Sequence, residues 1–182
     1  MKQEILEETI EFPQGVSLTV DKGLFKVSGP KGETSKKLYH PKIQIINDEN
    51  TVTFSVKKAT KKEKKIIYSF VAHLKNLLVG VTEGFTYKLK ICSGHFPMNV
   101  TVKGDLFEIK NFIGEKVPRS FKIPQKVTVK IDGSEVIVQG LNKEETGQVA
   151  AEIEQLTKRP GFDKRIFQDG IYITEKPKKQ EN

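Results

Sequence analysis

The sequence repeats itself once, and this duplication limits what the chain can fold into. Phe12-Pro13 recurs as Phe96-Pro97, and Gly32-Glu33 recurs as Gly114-Glu115. Further matches in turns, strand-like segments and a helix start follow in the same order, 82 to 84 residues apart. A solenoid repeat spans roughly 20 to 50 residues, so this longer period predicts two copies of one complete folding unit.

Each copy starts with patterns that are typical of antiparallel strands. Apolar and polar residues alternate over 16–20 and again over 24–27, on either side of a break that contains glycine. The second copy repeats this arrangement over 100–102 and 106–109. Such alternation around a turn sequence predicts a β-hairpin in both copies.

One helix is expected after the strands of each copy. Apolar residues recur at three- and four-residue steps over 66–78, after the capping-box pair Thr60 and Glu63 and before Gly80, a candidate left-handed stop. Asn142 is the corresponding cap in the second copy. A sheet and a helix with one apolar face each bury those faces together, so each copy is expected to be an α+β unit in which antiparallel β-strands pack around one α-helix.

The repeat also predicts where the units begin and end. Glu83-Gly84-Phe85 after the first helix matches Asp169-Gly170-Ile171 after the second. We therefore expect a first repeat over 1–83, a second over 84–174 and a basic flexible tail over 175–182.

Composition indicates the kind of partner and compartment. Lysine and arginine outnumber aspartate and glutamate by 31 to 23, which gives a net charge of +8 and favours a polyanionic partner. Cys92 is the only cysteine, so no intramolecular disulfide can form and a reducing compartment is expected. No run approaches the roughly 18 apolar residues of a membrane span, so a soluble, intracellular protein without a membrane partner is predicted.

Candidate catalytic and metal sites are weak. Cys92 and His95 have the spacing of half a metal site, but a structural zinc site needs four ligands and no second pair exists. The segment 29–32 is rich in glycine yet lacks the spacing and the following helix of a phosphate-binding loop. No carboxylates pair as an acid and a base. We therefore expect no enzymatic activity, cofactor, metal or small-molecule substrate.

Basic residues are concentrated in two segments. Six lysines surround Glu63 between Lys57 and Lys65, where the helix dipole disfavours positive charge, so either phosphate contact or a solvated loop is possible there. The segment 158–172 mixes arginine, lysine, glutamine, glycine and aromatic residues, which can clamp phosphates and stack on bases. Its aromatic residues could instead close the core of the second unit.

Several strings of residues carry a resemblance to a known family. The strings are Val27 to Glu33, Gly80 to Tyr87, His95 to Val100, Ile109 to Arg119, and Arg165 to Ile173. Together they resemble universal large-subunit ribosomal protein number six in its archaeal and eukaryotic branch, whose eukaryotic counterpart is large-subunit ribosomal protein nine. The bacterial branch ends in a different lysine- and glycine-rich motif, which this sequence lacks.

The resemblance implies a structural constituent of the large ribosomal subunit in the cytoplasm. It implies binding to large-subunit rRNA, mainly through the second repeat, near the sarcin-ricin loop and the docking region of translational GTPases. Neighbouring ribosomal proteins are expected partners, and the GTPases are indirect ones. The candidate rRNA-binding residues are Lys116, Arg119, Lys158, Arg159, Lys164, Arg165, Gln168, Gly170 and Tyr172.

Two readings from other classes stay open at this point. An RNA-independent protein-interaction adapter built from two sheet-helix modules would use exposed sheet edges, and its binding would survive high salt. A nucleotide-handling enzyme would need a ligand at 29–32.

Overall fold

The structure, a computed structural model, describes residues 3–48, 50–163 and 165–177 of the 182-residue chain. Lys164, one of the candidate contacts, and residues 178–182 of the expected tail lie outside this part. The chain forms two compact units, Met1–Gly84 and Phe85–Asn182.

The first unit contains six strands and one helix in its described part. In chain order these are β1 (Gln3–Glu11), β2 (Ser17–Asp21), β3 (Leu24–Gly29), β4 (Gly32–Lys37), β5 (Gln44–Asn47), β6 (Thr51–Ala59) and α1 (Lys61–Thr82). The antiparallel strands form two sheets of order β1-β6-β5 and β2-β3-β4. Phe25, Phe54 and Leu74 are fully buried in the core that α1 shares with both sheets.

The second unit repeats this plan and adds a strand. Its elements are β7 (Phe85–Cys92), β8 (Asn99–Lys103), β9 (Leu106–Lys110), a 3-10 helix (Phe112–Gly114), β10 (Arg119–Lys122), β11 (Val127–Asp132), β12 (Glu135–Gly140), α2 (Lys143–Leu156) and β13 (Gly170–Glu175). Its sheets have the orders β10-β9-β8 and β11-β12-β7-β13, again antiparallel. The predicted tandem α+β fold is confirmed.

Local hydrogen bonds explain where α1 begins. The Thr60 hydroxyl accepts from the Lys62 N–H at 3.3 Å, and the Thr60 N–H donates to the Glu63 carboxylate at 3.1 Å, which completes the predicted capping box. Lys42 donates to the same carboxylate at 2.9 Å. The side-chain hydrogen bond from Thr60, followed by that from Lys42, lowers the pKa of Glu63 to about 2.

The expected stop of α1 at Gly80 is wrong. The helix continues to Thr82, and the left-handed residue is Gly84, with φ of 73°. Tertiary contact explains the difference, because Val81 is fully buried and its carbonyl accepts from the Lys31 N–H at 3.0 Å. The last turn of α1 is therefore fixed by β3 and β4 rather than by its own glycine.

The two copies differ most in two loops. In the first unit, Pro30 and Lys31 suffice to join β3 to β4, and α1 passes into the next strand through Glu83 and Gly84. In the second unit, residues 111–118 join β9 to β10, and residues 157–169 separate α2 from β13. Across the part of the chain that the structure describes, no helix combines the length and the apolar character needed to cross a membrane.

Candidate nucleic-acid interface

The two loops that distinguish the second unit meet at one surface. We call the surface formed by residues 111–119 and 157–172, together with His95, the loop site. All three arginines of the chain, Arg119, Arg159 and Arg165, belong to it. The first unit must therefore fold without arginine, which marks the loop site as a place where this side chain has a specific use.

Arg119 joins the two loops. Its Nε and one terminal nitrogen donate to the two oxygens of Glu115, each at 2.7 Å. Its other terminal nitrogen donates to the backbone carbonyls of Leu156 at 2.6 Å and Lys158 at 3.1 Å, at the end of α2. Four of the five N–H donors of an arginine are thus engaged within the protein.

Arg119 also contacts Phe112 and keeps its partner Glu115 ionised. The guanidinium carbon lies 4.5 Å from the centre of the Phe112 ring. The hydrogen bonds from Arg119, with the nearby charge of Arg159, hold the pKa of Glu115 below its usual value although burial opposes this shift. Arg119 therefore orients the loops, and its side chain has little capacity left for a phosphate.

A row of packed planar groups runs from Arg159 through two phenylalanines of the same loop to His95. The Arg159 guanidinium lies 4.3 Å from the centre of the Phe162 ring, and its nearest nitrogen is 3.6 Å from Glu115. Phe162 packs edge-on against Phe167 at 5.1 Å, and Phe167 packs against His95 at 5.0 Å. Because Arg159 stays one-third exposed, the row presents a charged planar group at the surface.

Hydrogen bonds between His95 and the buried Asp169 anchor the other end of this row. Asp169, with 4% exposure, accepts from the His95 N–H at 2.9 Å and from His95 Nδ1 at 2.6 Å. Burial opposes ionisation of Asp169, but hydrogen bonds from His95 and Phe96 outweigh it and lower the pKa of this carboxyl. Because an ionised carboxylate only accepts hydrogen bonds, the proton of this bond lies on His95 Nδ1. The two bonds hold the end of the loop 157–169 in place directly before β13.

Sequence reasoning did not find this pair. It considered the chemistry of His95 as half of a metal site with Cys92. The available signal was that both residues occur in strings that carry the family resemblance, His95 to Val100 and Arg165 to Ile173.

A pocket of about 220 Å³ opens between the two loops and the end of α2. Aromatic and charged side chains both contribute to its walls, among them Phe112, Phe162, Phe167, Tyr172, Lys158 and Arg159. Such a cavity can receive a planar group while cations contact charges beside it.

The remaining candidate contacts differ in their accessibility. Lys116, Lys158 and Gln168 are exposed, and the two lysines form no ion pair within the described residues. The side chain of Arg165 is 89% exposed and pairs with Asp163 at 2.8 Å. An exposed ion pair of this kind contributes little to stability, so Arg165 can exchange its partner for a phosphate.

The last two candidates lie on β13. Gly170 is buried, and a Cβ atom there would lie 3.0 Å from the Tyr172 hydroxyl. Tyr172 itself is 38% exposed and lines the pocket, and burial raises its pKa. Gly170 thus makes room for the Tyr172 ring, which is the group that a ligand could touch.

The comparisons with known proteins agree with the duplication. The family model described as ribosomal protein L6 matches the chain twice, over residues 12–84 and 96–170. The large ribosomal subunit protein uL6 of Methanosarcina mazei is 46% identical over 171 residues, which cover 94% of this chain and 97% of the relative. The uL6 protein of Methanobrevibacter smithii is 43% identical over 94% and 96%, and that of Ignicoccus hospitalis is 44% identical over 90% and 91%.

Proposed function

Because the chain belongs to the ribosomal protein L6 family, we propose that it binds large-subunit ribosomal RNA through the loop site of its second unit. The predicted archaeal and eukaryotic branch is confirmed by the archaeal relatives. Family membership makes the chain a structural, non-enzymatic component of the large ribosomal subunit, which is a cytoplasmic particle.

One observation carries the RNA proposal. All three arginines of the chain lie on or directly beside two loops that the first copy does without, and Lys158, Arg159 and four aromatic rings line the pocket there. Since the duplicated fold is complete in the first unit without these loops, the fold alone does not account for their exposed charges. Arginine forks and lysine charges suit phosphates, and aromatic faces suit unpaired bases.

The proposal gives the loop-site residues different roles. Those that contact phosphates or sugars are Lys116, Lys158, Arg159, Lys164, Arg165 and Gln168. The Tyr172 face is a stacking surface at the pocket. Arg119 and Gly170 position other groups of the site. Arg119 holds the two loops together through Glu115 and the Leu156 carbonyl, and Gly170 leaves space for the Tyr172 ring. Recognition is of RNA shape, because phosphate contacts carry little sequence information.

The proposal includes a location in the subunit. The site faces rRNA near the sarcin-ricin loop, beside the region where translational GTPases dock, with neighbouring large-subunit proteins as further partners. The family resemblance in His95 to Val100 and Arg165 to Ile173 supports this location, since the first string begins at His95 of the loop site and the second runs through residues 165–172 of it.

A salt titration with the full chain and deproteinised large-subunit rRNA tests the site. Replacing Lys158, Arg159 and Arg165 by Gln is expected to reduce the slope of log affinity against log salt by about two to three, at roughly 0.7 to 0.9 per lost phosphate contact. The matched control replaces the exposed Lys103, Lys126 and Lys130 by Gln, with the same change in charge. Equal slopes for both variants would exclude the loop site.

Sucrose-gradient sedimentation with RNA crosslinking tests the assignment in cell extract. Migration with the large subunit at high salt and crosslinks within 157–172 are expected. Binding that survives both high salt and ribonuclease would instead favour the protein-interaction adapter.

A further inference from the structure

The first unit carries a concentration of positive charge that the loop site does not explain. Six exposed lysines lie at the end of β6 and the start of α1, and we call them the lysine cluster: Lys57, Lys58, Lys61, Lys62, Lys64 and Lys65. Within the described residues none of the six forms an ion pair, although Lys64 lies 5.7 Å from the centre of the Tyr68 ring.

The cluster is unfavourable for the fold in two ways. The positive end of the helix dipole lies at the start of α1, so lysines there are repelled by the helix as well as by one another. Lys58 also adopts a left-handed backbone conformation, with φ of 56°, which strains a residue that has a Cβ atom. Both the charge repulsion and the strained backbone of Lys58 lower the stability of the first unit. The stability of the fold therefore does not explain why six lysines occur here.

The second copy shows that the fold does not require these lysines. At the start of α2, Glu144 and Glu145 occupy the first turn, as the helix dipole favours. By the match of Thr60 with Asn142, Glu144 stands where the first copy has Lys62, and Gly147 stands where it has Lys65. The same helix start thus carries opposite charges in the two units.

The acid within the cluster does not neutralise it. Glu63 is buried, and its carboxylate accepts from Thr60 and from Lys42, which lies outside the cluster. The capping box also occupies the Lys62 N–H of the helix start. What the surface offers a ligand is therefore the six ammonium groups, not the backbone amides of α1.

We propose that the lysine cluster is a second phosphate-binding surface, through which the first unit contacts RNA backbone. Lysine acts as a point charge on phosphate and does not read bases, and the half-exposed Tyr68 is the ring beside the cluster. Protein interfaces instead have an apolar, aromatic core with few charges, which six ammonium groups do not provide. That the polyanion is RNA rests on the proposed function.

The test is a salt titration of the full chain with deproteinised large-subunit rRNA. Changing Lys61, Lys62 and Lys65 to Gln is expected to lower the salt slope by about two to three. The melting temperature should stay equal or rise, because repulsion with the helix dipole is relieved. Changing the same three residues to Arg keeps the charge and should keep the slope.

A matched control in the same unit removes the same charge elsewhere. Lys22, Lys26 and Lys37 are exposed on or beside β3 and β4, and their change to Gln should leave the slope unaltered. If the cluster variant behaves as this control does, the second surface is excluded.

The loop-site variant in the same assay separates the two proposals. A lower slope for both variants supports both surfaces. A lower slope for the loop-site variant alone overturns the lysine cluster and leaves the proposed function standing. Unchanged slopes for both variants overturn both, and a change for the cluster variant alone keeps the cluster and removes the loop site.

Discussion

Replacing Arg119 by Met tests whether this arginine positions the loop site or binds RNA directly. The change removes two hydrogen bonds to Glu115 and two to the carbonyls of Leu156 and Lys158, while the side-chain stem can still pack on Phe112. The donor is a charged guanidinium, but both side chains of its pair with Glu115 are about one-quarter exposed, so each carbonyl hydrogen bond and the pair itself are discounted to about 1 kcal/mol. The expected loss in stability of the second unit is about 2–4 kcal/mol.

Hydrogen exchange followed by mass spectrometry is the suitable assay. The free energy of opening should fall in the last turn of α2 and in residues 157–172, because Arg119 links them to 111–118. Combining Arg119→Met with Glu115→Gln should give a coupling energy of about 1–2 kcal/mol. Gln148→Met, at an exposed position on α2, is a control for the effect of the new side chain.

RNA binding gives the result that would refute this role. If Arg119 acts through position alone, the variant should bind rRNA more weakly with an unchanged salt slope. A slope reduced by about 0.7 to 0.9 would mean that Arg119 neutralises a phosphate itself. Unchanged exchange at the end of α2 would equally contradict the reasoning from its hydrogen bonds.

Three further changes concern the fold. The pKa of Glu63 is lowered from 4.5 to about 2, so its contribution to the stability of the first unit is full above pH 4.5 and is lost as the pH falls toward 2. Glu63→Gln should therefore make the free energy of unfolding of this unit less dependent on pH between these values. The lowered pKa of Asp169 has the same sign, so Asp169→Asn should remove stability that is present above about pH 4 and should loosen the loop end at neutral pH. Gly29→Ala would place a Cβ atom 2.7 Å from a Val81 methyl group and should cost about 1–3 kcal/mol by overpacking, measured by urea unfolding.

Each of these changes has a control in the same chain. Glu33→Gln removes an exposed carboxylate of the first unit and should leave the pH dependence of its stability intact, and Asp132→Asn removes an exposed carboxylate of the second unit as the control for Asp169→Asn. Gly94→Ala meets no atom within 4 Å and should be close to neutral. An unchanged pH dependence of first-unit stability after Glu63→Gln would contradict the role given to this carboxylate. Equal stability of the Gly29→Ala and Gly94→Ala variants would contradict the close contact with Val81.

The sequence predicted those parts of the structure that depend on neighbours in the chain. Alternation revealed the hairpins, and Thr60 with Glu63 revealed a helix start, because the capping box closes within three residues. The stop at Gly80 failed since the burial of Val81 against another element decided where α1 ends.

The sequence predicted a segment for the candidate site but not the contacts that its residues make. The density of basic and aromatic residues in 158–172 indicated this segment, and its binding of RNA stays a prediction. The contacts of Arg119 could not be predicted, because its carbonyl partners lie 37 and 39 residues further along the chain. The pair of His95 and Asp169 spans 74 residues, and only the folded chain brings it together.

The extra strand β13 has a consequence for how such a chain can grow. The strand that follows α1 is β7, which serves as the first strand of the second unit, whereas the strand that follows α2 is β13, which pairs with β7 from the other side. A strand like β13, which covers the outer edge of a unit's first strand, is therefore available only to the last copy in a series. A third copy appended after α2 would claim β13 as its own first strand, leave β7 at a sheet edge and interrupt the loop site, so in this design the fold can be doubled but not simply extended.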